Sequence, residues 1–122
     1  MPDSGSGDPR ERSADHAALP AALADASLSD RTLILPFDAA LAAIDHLTND
    51  GRRIENWEGW VKMRDGGRAK SLSHGGSFAL PPDPSRAAAT AKAGITRAHE
   101  RWQRSPEYTG AELYFGLTFA RR

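Results

Sequence analysis

One stretch of this chain gathers groups that could do proton chemistry: Ser71-Leu72-Ser73-His74-Gly75-Gly76-Ser77. An imidazole changes charge near neutral pH, hydroxyls both donate and accept, and a glycine-rich backbone can present amide hydrogens. The segment could therefore bind an anion, or use His74 as general acid or base toward a small substrate. No second acid, base or nucleophile is set beside His74 by spacing, and a histidine in a polar segment more often simply meets water. An esterase-type oxyanion loop is excluded, because the chain has no Gly-x-Ser-x-Gly elbow and is too short for that fold.

A second set of residues lies on alternating strands. In Ile54–Met63, Trp57, Gly59, Val61 and Met63 point one way, and Asn56, Glu58, Trp60 and Lys62 the other. Glu112–Phe119 alternates as well, with Leu113, Phe115, Leu117 and Phe119 facing a core and Tyr114, Gly116 and Thr118 facing away. An open sheet face carrying Trp60, Tyr114, Asn56, Glu58 and Lys62 could anchor a protein partner or a second copy of the chain. It could also stack nucleic-acid bases, although no RNA-recognition signature is present. Arg68 and Lys70 add positive charge at the hairpin tip beside this face.

A third surface is the basic stripe Arg86, Arg97, Arg101 and Arg104. Residues 84 to 104 hold five basic side chains and one acid. Such a stripe could follow phosphates, but the solvent face of an amphipathic helix is ordinarily charged. Metal binding has little support: His16, His46, His74 and His99 show no ligand-type pairing, and cysteine is absent. Gly66-Gly67-Arg68-Ala69-Lys70-Ser71 lacks the spacing and the strand-to-helix setting of a phosphate-binding loop.

These residues need elements to hold them. At 122 residues the chain suits a single domain with one core. The formal net charge is zero but unevenly spread: residues 1 to 50 carry 3 basic and 9 acidic side chains, and the remainder 13 and 7. Residues 1–16 read as a disordered tail, and 17–29, Ala-rich with few large apolar groups, as a linker or short helix. The single α+β domain spans 30–122. Arg31–Leu35 reads as a buried strand closed by Pro36. A helix follows, with Asp38 as N-cap, Phe37, Leu41, Ile44 and Leu47 at helical spacing, and Gly51 as its stop.

Asp65-Gly66-Gly67 turns a long hairpin whose return arm runs to Leu80. Asp83 and Pro84 then start a second helix, which presents Ala88, Ala91, Ile95, Ala98 and Trp102 on one side and ends at Ser105-Pro106. The order is strand, helix, strand, strand, helix, strand, a ferredoxin-like split βαβ (βαββαβ) two-layer sandwich with right-handed crossovers.

The leading expectation is a non-catalytic binding module, acting as a homodimer, adaptor or inhibitor through the open sheet face and basic hairpin tip. The alternatives are a polyanion or nucleic-acid binder using the basic C-terminal part, and a small-substrate enzyme using His74. No cofactor, metal or membrane partner is expected. With no signal-like start, no apolar run of about 18 residues and no cysteine, a cytoplasmic location is expected.

Overall fold

The computed structural model describes residues 14–77 and 83–120, with only the backbone of Leu72, Ser73 and Ser77. The expected tail up to Ser13 and the end of the hairpin's return arm, Phe78–Leu80, lie outside the described residues. Helices α1 (Ala14–Ala17) and α2 (Ala21–Asp25) precede β1 (Ile34–Leu35), α3 (Phe37–Asn49), β2 (Ile54–Lys62), β3 (Arg68–Ser77), α4 (Pro84–Arg104) and β4 (Glu112–Phe119).

The four strands form one sheet in the order β1-β4-β2-β3, every neighbouring pair antiparallel. β1 and β2 therefore flank β4, and β3 and β4 flank β2, so both βαβ units are split by one strand. The expected α+β two-layer sandwich is what forms. The strand order sets β4 and β2 at the centre, with β1 and β3 at the edges.

Helices α3 and α4 pack on one sheet face and bury Ile44, Leu47, Ile95 and Trp102 against Trp57, Val61, Leu113, Phe115 and Leu117. Alanines 87, 88, 91 and 98 let α4 approach the sheet closely. Its start is fixed as the sequence implies: the Asp83 carboxylate accepts from the Arg86 amide at 2.9 Å, and Pro84 has no amide hydrogen to leave unpaired.

Three expectations are corrected. Helix α3 begins at Phe37 with Pro36 as N-cap, so Asp38 lies in the first turn, where a carboxylate favours the positive helix end without capping it. Strand β1 is only two residues long, because the Ser29 hydroxyl accepts from the amides of Arg31 and Thr32 and holds them in a turn. Within the span expected to be tail, Ala14–His16 belongs to α1. His16 is buried and its Nε2 lies 2.8 Å from the Ser29 carbonyl, a bond that offsets ordering of the first helical turn. Leu19 joins the core, and Ala18, Leu23 and Ala26 pack against it.

Candidate functional site

The site begins with an irregularity in the β2–β3 ladder. Glu58 pairs with Gly75 and Trp60 with Lys70, so Ser71–His74 occupies four positions where β2 offers only Gly59. In an even strand, residues three apart point to opposite faces. The bulge removes that constraint and turns Ser71 and His74 to the same, helix-covered side. Gly59 makes this possible, since a Cβ there would sit 2.9 Å from His74 Cβ and 3.4 Å from Ser71 Cβ.

Ser71 and His74 are both buried, and His74 is 8% exposed. The Ser71 hydroxyl lies 2.9 Å from His74 Nδ1 and donates to Glu107 Oε1, also at 2.9 Å. Glu107 comes from the loop between α4 and β4, and its Oε1 is 3.8 Å from Nδ1. A hydroxyl has one proton and a carboxylate can only accept, so the Ser71 proton goes to Glu107. His74 Nδ1–H then donates to Ser71 Oγ. That assignment leaves Nε2 as the bare nitrogen of a neutral ring. Among the described residues Nε2 has no hydrogen-bond partner, and it is buried.

Burial pulls the His74 pKa below its ordinary 6.5; the Glu107 carboxylate pushes the other way, and Arg101 adds to the lowering. The Trp102 ring meets the imidazole edge-on, with centroids 6.3 Å apart.

A cleft of about 190 Å³ opens beside His74 between β3 and α4, with Arg97, Arg101, Gly75 and the Trp57 indole in its lining. Two glycines hold that indole: a Cβ on Gly76 would lie 2.6 Å from Trp57 Nε1, and one on Gly94 would lie 2.9 Å from Cζ2. The glycine pair after His74 therefore serves a close approach, while the bulge itself lies just before it. A second cleft of about 210 Å³ lies where the Phe37 ring stacks on His99 at 3.9 Å. None of its described lining residues has a buried polar atom without a partner, which sets the His74 cleft apart.

Of the basic stripe, Arg97 and Arg101 reach the cleft, one helical turn apart. Arg86 is at the other end of α4, about 16 Å along the axis from Arg97, and Arg104 is exposed in the last turn. Among the described residues, no group of three His, Cys, Asp or Glu could hold a metal ion.

The open-face residues also keep their side. Trp57 is buried at 6.0 Å from the Phe115 ring, while Trp60 lies half-buried on the opposite face over Gly116, where a Cβ would come within 3.0 Å of its Nε1. That Nε1 donates to Glu58 at 3.1 Å, and Glu58 also meets Lys70 at 3.6 Å. Lys62 pairs with Glu112 at 4.0 Å, and Arg68 donates to the Leu28 carbonyl. Tyr114 is half-buried opposite Trp60, and Asn56 Oδ1 is buried without a partner among the described residues. Among the described residues the one large apolar side chain that is truly exposed is Tyr108, at 50%, and it lies in the loop after α4, not on this face.

Sequence reasoning had His74 and its hydroxyl neighbours in view but missed Glu107, Trp57 and Trp102. The Gly59 and Gly94 interruptions of otherwise regular elements were the available signal for close approach. No protein-family model, curated protein or solved structure matches the chain. No helix of the described residues is long and apolar enough to cross a membrane.

Proposed function

We propose that this protein binds a small molecule in the cleft between β3 and α4, with His74 Nε2 accepting a hydrogen bond from it and, in turnover, a proton. The observation that carries this reading is that His74, whose buried Nε2 has no partner among the described residues, lines an open cleft. An unpartnered ring nitrogen costs roughly 1–3 kcal/mol, which a ligand donor would recover. The Ser71–Glu107 pair fixes the ring through Nδ1, and the Glu107 charge at 3.8 Å would balance an imidazolium once Nε2 takes a proton. These are the groups a general base needs: an orienting partner, a counter-charge and a free nitrogen.

The test is ¹⁵N NMR of the imidazole in the full chain while small-molecule mixtures are added. The expected result is a proton on Nδ1 and a saturable shift of the Nε2 signal that a His74→Phe variant lacks. A proton on Nε2, ordinary titration near 6.5 and no response to any mixture would remove the reading.

A second reading, recognition of a protein partner or a second copy through the open sheet face, is supported by Trp60 and Tyr114 standing side by side away from the helices. Light scattering on wild type and Trp60→Ala checks it. A wild-type dimer lost in the variant supports it, and a strict monomer with unchanged pull-down partners removes it. It is the weaker reading because these side chains largely pair with one another and, among the described residues, leave no broad apolar patch on this face.

A further inference from the structure

We infer that the ligand of the His74 cleft is a small oxyanion that carries one hydroxyl proton, as a hydrogen phosphate or a short hydroxycarboxylate does. This rests on the reading that a ligand meets His74 Nε2, and it adds the ligand's charge and proton pattern. Arg97 and Arg101 line the cleft, and among the described residues neither guanidinium has an ion-pair or hydrogen-bond partner. Trp57 lines it too, and its indole N–H has no partner among the described residues. Gly75 is exposed at the mouth and carries no side chain to keep a ligand from the backbone.

Against these donors stands one unpartnered acceptor among the described lining side chains, His74 Nε2; the Glu107 carboxylate is not part of the lining. A cation would face two guanidinium groups. A neutral molecule would leave both charges unanswered, and, with the ring neutral, an anion without a proton would set a lone pair against the lone pair of Nε2. An oxyanion with one O–H meets every group: its charged oxygens take the planar N–H forks of Arg97 and Arg101, and its hydroxyl donates to Nε2. Size agrees, because about 190 Å³ lies below the roughly 300–1,000 Å³ typical of sites for drug-sized ligands.

Four probes test this on the ¹⁵N-labelled full chain: inorganic phosphate, glycolate, acetate and ethylene glycol, each followed at the Trp57 indole and the His74 ring. Phosphate or glycolate is expected to bind saturably and at least about tenfold more tightly than acetate, and the tighter of the two identifies the source of the oxyanion. Arg97→Gln and Arg101→Gln are each expected to weaken that binding about tenfold with the amide spectrum otherwise unchanged. His74→Phe should abolish the preference of glycolate over acetate. Equal binding of acetate and glycolate, or affinity indifferent to both arginine variants, would overturn the inference. Response to ethylene glycol alone, or silence of the His74 ring toward all four probes while a small-molecule mixture still shifts Nε2, would overturn it and leave the His74 reading standing; silence toward the mixtures as well would sink both.

Discussion

His74 Cβ lies 2.9 Å from where a Cβ on Gly59 would stand, so the bulge that carries His74 exists because its partner strand has no side chain at that point. Both neighbours of Gly59 across the bulge are buried, leaving no space to relax into. Gly59→Ala is expected to cost about 1–3 kcal/mol, the usual range for overpacking a filled core. Urea denaturation measures the loss. The variant should also break the Ser71–His74 contact, seen as a changed Nδ1 resonance in the folded protein. A fully stable Gly59→Ala with an unaltered His74 spectrum would contradict this packing.

The Trp57 indole, held between Gly76 and Gly94, gives a second expectation. In an exposed helix, Gly→Ala ordinarily gains about 0.8–1.0 kcal/mol. At Gly94 the sign should reverse, because the new methyl meets the indole edge and Gly76 blocks retreat on the far side. In a Trp57→Phe background, where the ring is smaller, Gly94→Ala should become neutral or stabilising. A coupling of about 0.5–3 kcal/mol in the double-mutant cycle checks this, and simple additivity would refute it.

Stability should depend on pH through His74. Its folded pKa lies below the ordinary 6.5, so as pH falls through that value the unfolded chain takes up a proton that the folded chain refuses. Stability is then complete above about 6.5, declines as pH drops toward the folded pKa and levels off beneath it. The groups that set the folded value are the buried ring itself, Glu107 and Arg101. Urea midpoints across this range should show the decline in wild type and a reduced slope in His74→Phe.

Glu107→Gln separates these causes. The Glu107 charge is the influence that raises the His74 pKa. Removing it should lower that pKa further and carry the decline in stability to lower pH. NMR titration of the ring reads the direction directly, and an upward shift would show that Glu107 does not act on His74 as the geometry implies.

Much of the scaffold could be read from local pattern. The Asp83-Pro84 start of α4, the periodic Ala88, Ala91, Ile95, Ala98 and Trp102, the alternating Leu113–Phe119 and the opposite facing of Trp57 and Trp60 all depend on residues within a few positions of one another. Boundaries were less legible where a side chain competes for backbone bonds. Ser29 held Arg31 and Thr32 out of β1, and a buried His16 extended ordered structure into the expected tail.

The amino-acid order by itself settled two helices, the alternating strands and a short list of surfaces that included His74 and its neighbouring hydroxyls. Tertiary structure alone decided which of them form a site. The four-against-one bulge opposite Gly59 is a matter of register between strands, and Glu107 reaches Ser71 across 36 residues of chain. Backbone preference acts over a few residues, whereas a hydrogen bond between distant side chains exists only once packing has fixed both strands and the loop after α4. That is why His74 reads as a solitary imidazole in the sequence and stands in the fold as an oriented ring with one bare nitrogen.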